Sequence, residues 1–347
     1  MPRIGKSLSA ILLLCSLLAA GITSSAPAAQ RSGFQVQRGV NFSHWLSQNS
    51  ARGEQRQEYI QEKDFEFVAS LGYDHVRLPV DEEQLWDESG KKEKEAFQLL
   101  HNGITWAQQH GLRIIVDLHI LRSHHFNAEE RPLWTDPKAQ DEFLKLWQEL
   151  SSELRQYPVE LVAYELMNEP VADDPEDWNK LVAKGIATIR KHEPRRVIVV
   201  GSNRWQSVGT MKDLEVPADD KNILLSFHFY EPFLVTHHQA SWTHVAKYKG
   251  PIHYPGRLVT AEDKSNLAED VRKIVRNAGV ENRETLEQRI LPAVALAKKY
   301  GLPVYCGEWG CIKKTPRDVR LAWYRDMVSI LEEHNIGWAN WDYKGSF

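Results

Sequence analysis

Eight short runs rich in β-branched and aromatic residues recur along the chain, and longer, charged, helix-patterned stretches separate most of them. That alternation leaves few folds open, because a strand, a crossover helix and a second strand build a parallel sheet covered by helices. The runs predicted as strands are Gln35 to Asn41, Asp74 to Val80, Leu112 to His119, Leu161 to Asn168, Val197 to Gly201, Ile223 to Tyr230, Pro303 to Glu308 and Gly337 to Trp341. Helices are predicted at Gln55 to Leu71, Glu93 to His110, Asp136 to Gln156, Pro175 to His192, Leu286 to Tyr300 and Pro316 to Asn335. Gly72 and Gly111 each follow a helical run, where glycine accepts the left-handed conformation that ends a helix. Ser202 to Asp220 is the weakest helical stretch. Eight such units close most naturally into one (β/α)8 TIM barrel, an α/β fold whose usual size suits 347 residues. An open doubly wound sheet is the alternative, and no glycine-rich phosphate loop favours it. The sequence ends at Phe347, six residues after Trp341, so a helix after the eighth strand has no room; either the domain is truncated there or it dispenses with that helix.

The first residues have a separate logic. Arg3 and Lys6 precede an apolar run from Leu8 to Ala20, and Ala26-Pro27-Ala28-Ala29 follows. This is the pattern of a signal peptide, too short for a membrane span, with cleavage near Ala28 or Ala29. Residues 1–29 are therefore set apart from a catalytic domain over 30–347, and the expected destination is secretion or the periplasm, with no membrane attachment after cleavage. Removing them takes Arg3 and Lys6 and no acid, moving the formal charge from −4 to −6. A mildly acidic chain without a basic stripe excludes a phosphate backbone as partner, so nucleic acid is not expected. Only Cys306 and Cys311 remain, which rules out a disulfide framework. The spacing leaves open a bridge straddling Glu308 or a buried strand cysteine with an incidental neighbour.

In a barrel of this kind the active site gathers at the C-terminal ends of the strands. Almost every predicted strand ends in a polar or aromatic residue: Asn41, Arg77, His119, Asn168 with Glu169, Asn203, His228 with Tyr230, Glu308 and Trp341. Simple alternation puts His119 on the face of Asp117, Tyr230 on that of His228 and Ser226, and Glu308 on that of Cys306. Glu169 and Glu308, on strands four and seven, would face each other across the barrel mouth. Glycoside hydrolysis needs such a pair, one acid for the leaving oxygen and one ionised carboxylate at the anomeric carbon. Seven of the twelve tryptophans, at 45, 86, 134, 205, 242, 309 and 341, follow strands, where indoles can stack on sugar rings. The other reading of each is packing beneath a loop. Asp117, His119, His124 and His125 lie close in sequence, but no cysteine or second acidic-histidine motif completes a zinc set, so neither metal nor cofactor is expected.

These residues resemble the family 5 glycoside hydrolases, the cellulase-like retaining (β/α)8 enzymes, over essentially the whole mature chain. The likeness rests on Val76-Arg77-Leu78-Pro79, Asp117-Leu118-His119, Tyr164 to Pro170, Ser226-Phe227-His228-Phe229-Tyr230, Gly307-Glu308-Trp309-Gly310 and Trp341. The resemblance implies Glu169 as general acid/base and Glu308 as nucleophile. It further implies that Asn168 holds the sugar 2-hydroxyl, that Tyr230 and Arg77 keep Glu308 ionised, that His119 and His228 bind substrate or orient the carboxylates, and that Trp341 floors the sugar. Asn41 and Trp205 join the substrate-binding set. Expected activity is hydrolysis of β-linked polysaccharide or oligosaccharide, most naturally a β-1,4-glucan, by a monomer; β-1,3-glucan, mannan, or silent carbohydrate binding are the alternatives. Two departures bear on linkage: His119 is followed by Ile120-Leu121-Arg122-Ser123 without the Pro-Gly common in cellulases, and the opening Asn41 to Leu46 is closer to family members outside the best-known endoglucanases; a long insertion from Glu231 to Ala268 is expected to shape one end of the cleft.

Overall fold

The computed structural model describes residues 1–2 and 31–347, so the signal-peptide expectation falls almost wholly outside the described residues. Eight strands form a closed barrel: β1 Arg38–Asn41, β2 His75–Val80, β3 Arg113–Leu118, β4 Val162–Glu165, β5 Ile198–Gly201, β6 Ile223–Phe229, β7 Val304–Trp309 and β8 Gly337–Asn340. Each pairs in parallel with its sequence neighbours, and β8 pairs with β1 to close the ring. The TIM-barrel expectation holds, and the open-sheet alternative is excluded.

Six long helices pack outside: α1 Glu62–Ser70, α2 Lys94–Gln109, α3 Pro137–Leu154, α4 Pro175–Arg190, α5 Arg283–Tyr300 and α6 Arg317–Glu333. Their ends are written locally. Asp136 and Asp174 accept hydrogen bonds from the first-turn amides of α3 and α4, each ahead of a proline that suits the first helical position. Gly72 and Gly111 take φ of 82° and 70° just past α1 and α2, as their positions predict. The helix predicted over Gln55 to Leu71 is instead two. Ile60 is fully buried in an extended conformation, and Gln61 caps α1 through a reciprocal pairing with Asp64. Ser202 to Asp220 forms only a short turn, Asn203–Gln206, and a 3-10 segment, Val208–Asp213.

Alternation along the strands divides the core. Outward residues such as Val76, Leu78, Val116, Leu225 and Phe227 meet the helices in one large apolar layer. Inward residues Ile115, Ala163, Val199, Leu224, Tyr305 and Ala339 form a second, smaller cluster with Phe34 and Val36 from the segment ahead of β1. Cys306 belongs to the outer layer, whereas Glu308 reaches the inside, which corrects the shared face expected of them. The register slips between β7 and both of its neighbours near Gly307, and this extra residue reverses the alternation just before Glu308. Cys306 and Cys311 are free thiols, hydrogen-bonded to the Glu308 and Val235 carbonyls respectively.

Among the described residues no helix follows β8. The last segment folds back over the barrel mouth: Tyr343 N–H donates to Asn41 O, Tyr343 OH to Asp64, and Phe347 packs by Tyr230, His237 and Trp242. The insertion is longer than expected, continuing to α5, and contains a two-stranded ribbon of Gly256–Arg257 with Val280–Glu281. No helix among the described residues is long and apolar enough to cross a membrane.

Candidate active site

Arg77 is the centre around which the barrel mouth is built. It projects inward from β2, fully buried, and all five of its N–H bonds are used. Nε and Nη2 grip Glu165 at 2.7 and 3.0 Å; Nη1 donates to Glu308 at 2.8 Å and Asn41 at 2.9 Å; Nη2 also donates to Asn168 at 2.9 Å. Asp117 adds an ion pair at 3.0 Å. One guanidinium thus faces Asp117, Glu165 and Glu308 directly, with Glu169 nearby. Four buried or largely buried carboxyl groups around one cation cannot all stay ionised, since removing a charge from water costs roughly several kcal/mol unless an opposite charge compensates.

The surroundings sort them. Burial first, then the negative field of Glu308, pushes Glu169 well above the usual carboxylate range. Burial also raises Glu308, but the Arg77 field and the Tyr230 hydroxyl, donating at 2.9 Å, oppose that rise. Burial pushes Asp117 up to about 7 against the opposing field of Arg77. The result is asymmetry between the two facing glutamates: Glu169 is the more readily protonated, Glu308 the better-supported anion.

Oxygens of Glu169 and Glu308 and a nitrogen of His228 lie within 4.8 Å of one another. That is close to the roughly 5–5.5 Å separation of carboxyls that act as acid and nucleophile, and well short of the roughly 6.5–9.5 Å that admits a water between them. His228 Nδ1 sits 2.9 Å from Glu169 Oε1 and 3.7 Å from Glu308 Oε2. Burial holds the His228 imidazole well below its ordinary pKa, so it meets Glu169 as a neutral ring in hydrogen-bond contact. His119 Nδ1 lies 2.6 Å from Asp117, burial lowers its pKa to about 4, and its ring stacks on Trp341 with centroids 5.8 Å apart and planes 8° off parallel.

All ten residues singled out in the sequence lie at this end of the barrel. Asn41, Arg77, Asn168, Tyr230 and Glu308 form one connected hydrogen-bonded group; Glu169, with His228 against it, joins through Gln206 and Glu165, His119 through Asp117, and Trp341 through its stack on His119. Trp205 stands at the rim, 45% exposed, with its indole N–H on Phe126 O. The tryptophans divide more sharply than expected. Trp45, Trp86 and Trp309 are core residues, essentially without exposure, while Trp242, 60% exposed, and Trp205 remain open to solvent. Tyr254 of the insertion donates to Asp326 on α6 and so packs away from the mouth. The histidine group considered for metal separates: His119 turns to Asp117, and His124 Nε2 accepts from Val171 N–H at 3.1 Å.

Glu165 and Gln206 were missed. Glu165 had a signal, because a charged residue inside a strand buried on both faces needs a buried partner of opposite charge. Gln206 had none.

The family model described as Cellulase (glycosyl hydrolase family 5) matches residues 30–346. Endoglucanase C of Acetivibrio thermocellus is 32% identical over 313 residues, covering 88% of this chain and 90% of the relative. Cellodextrinase A of Ruminococcus flavefaciens is 28% identical over 305 residues, covering 86% and 83%. Among solved structures, a hyperthermophilic endo-β-1,4-glucanase determined with substrate superimposes with a TM-score of 0.72 at 24% identity over 90% of each chain. Endoglucanase Cel5A of Thermotoga maritima gives 0.71 at 24% identity, over 90% of this chain and 91% of that one. These two likenesses concern the barrel fold.

Proposed function

The chain belongs to glycosyl hydrolase family 5, whose members are retaining glycosidases, and from that premise we propose that it cleaves β-1,4-linked glucan by double displacement between Glu308 and Glu169. The observation that carries the reading is the pair of carboxylates within 4.8 Å in unlike surroundings. Glu308 attacks the anomeric carbon, and Glu169 gives its proton to the departing glycosidic oxygen, leaving a glycosyl ester on Glu308. With Glu308 esterified, its charge no longer opposes ionisation of Glu169, which then takes a proton from the water that releases the sugar.

The rest of the site has a place in this scheme. Asn168 gives its oxygen to Arg77, which leaves its buried Nδ2 without a protein partner and able to donate to a sugar hydroxyl. His119, neutral with Nδ1–H on Asp117, presents a bare Nε2 as an acceptor. Trp341, held parallel to His119, offers the apolar face under the sugar. Trp205 and Trp242 extend the apolar surface beyond it.

The glucan assignment draws on the relatives named endoglucanase and cellodextrinase. Secretion or periplasmic location is part of the proposal, and its support is the apolar run from Leu8 to Ala20. Purified protein incubated with β-1,4-glucan, β-1,3-glucan and mannan, with the products sized, tests the substrate. Oligosaccharides released from the β-1,4-glucan are expected; exclusive cleavage of either other polymer would overturn the linkage, and cleavage of none would overturn the activity.

A further inference from the structure

Gln206 is fully buried beneath the rim, and its carboxamide joins two parts of the site. Its Oε1 accepts from the Glu169 backbone N–H at 2.9 Å, while its Nε2 donates to Glu165 Oε1 at 3.2 Å and Ser226 Oγ at 3.1 Å. Through Glu165 it reaches Arg77, and through Arg77 it reaches Glu308. A side chain here must accept on one atom and donate from another at the same reach, which an amide does and a lone carboxylate, hydroxyl or ammonium does less completely.

The backbone goes out of its way to place it. Arg204, Trp205 and Gln206 are three consecutive residues with φ of 53°, 61° and 52°, a conformation costly for side chains with a Cβ. The β5 strand yields space below: a Cβ at Gly201 would stand 2.3 Å from the Gln206 carboxamide. Glu169 is itself at φ 45°. Such a conformation persists only where neighbours fix it. The residues after Glu169 have their own holders, since Trp205 N–H donates to Pro170 O, His124 accepts from Val171 N–H, and Asn203 pairs with both backbone groups of Ala172. Gln206 is the side chain that holds the backbone of Glu169.

We propose that Gln206 is a positioning residue for the proton-transfer step, fixing the left-handed backbone of Glu169 so that its carboxyl points at the glycosidic oxygen. This rests on the assignment of Glu169 as the acid. Proton donation matters most when the leaving group is a poor one, and least when the leaving group departs as a stable anion. A misplaced acid therefore changes the dependence of rate on leaving group, whereas general damage to the fold or nucleophile lowers every rate alike.

The test measures kcat/KM over a series of aryl β-cellobiosides whose phenols run from weakly to strongly acidic, in wild type, Gln206→Met, Gln206→Glu and Glu169→Ala, with thermal melts alongside. Glu169→Ala serves as the reference: if it does not steepen the leaving-group dependence, the acid assignment itself fails. With that steepening present, Gln206→Met is expected to lose about 10- to 100-fold on the poorest leaving groups and to stay near wild type on the best, since displacements near 1 Å cost on that order. Gln206→Glu, whose buried carboxyl is held protonated beside Glu165 and so keeps both an acceptor for the Glu169 N–H and a donor for Glu165, is expected to restore the wild-type dependence. A parallel loss across the series in folded Gln206→Met, or no loss, overturns the proposal. Should Gln206→Met not fold, Gln206→Glu decides alone: a wild-type dependence supports the proposal, and one as steep as that of Glu169→Ala overturns it.

Discussion

Arg77 has one charge to share among Asp117, Glu165 and Glu308, and the way it is shared sets the protonation of the site. The same logic, burial against compensation, governs residues away from the chemistry. His124 is enclosed between Val171 N–H and the Trp134 ring with no carboxylate against it, and burial lowers its pKa to about 3 from 6.5. Between those values the unfolded chain binds a proton that the folded protein does not. The contribution of His124 to stability is therefore complete above pH 6.5 and is lost as pH falls toward 3. In His124→Gln, which keeps an acceptor for Val171, the fall in unfolding free energy below pH 6.5 should be shallower than in wild type, by up to about 1.4 kcal/mol per pH unit. Denaturant melts across that range check it; parallel slopes would show that His124 titrates normally in the fold. Asp117, raised to about 7, acts with the opposite sign, so the comparison between variant and wild type is the informative quantity.

At the scale of elements, α4 begins directly after the Glu169 segment, and Asp174 secures it by accepting from Glu176 N–H at 2.9 Å. Asp174→Ala should lower stability by about 1 kcal/mol, read as a shift in urea midpoint at unchanged slope. An unshifted midpoint would mean that the cap contributes nothing. The elements were also the most legible level. Strands β2, β5, β6 and β8 lie within a residue of their predicted limits because parallel strands buried on both faces are continuous apolar runs. Two features escaped. The break at Ile60 was invisible because Gln61 and Asp64 cap a helix inside a sequence that reads as helical throughout. The slip at Gly307 was invisible because alternation carries no mark of a bulge, and it decides which way Glu308 points.

Across the whole molecule, the residues at the mouth come from all eight strands and their following loops, and the barrel's closure is what brings them together. Their places at the C-terminal ends of successive strands sufficed to collect Asn41, Arg77, His119, Asn168, Glu169, His228, Tyr230, Glu308 and Trp341 at one end. They did not suffice for Gln206, whose position depends on three left-handed residues, nor for separating the exposed Trp205 and Trp242 from the core Trp45, Trp86 and Trp309. Loop tryptophans look alike in sequence, and only the path of each loop tells a stacking surface from a buried wedge. The closing segment from Asp342 to Phe347 likewise belongs to the mouth through tertiary contacts alone. The central claim, that Glu308 attacks and Glu169 assists, is tested most directly in Glu308→Gly supplied with azide and an aryl β-cellobioside carrying a good leaving group. Azide entering the space left by the carboxylate should yield the α-cellobiosyl azide, identified by its anomeric proton coupling; a β-configured azide would contradict the assignment.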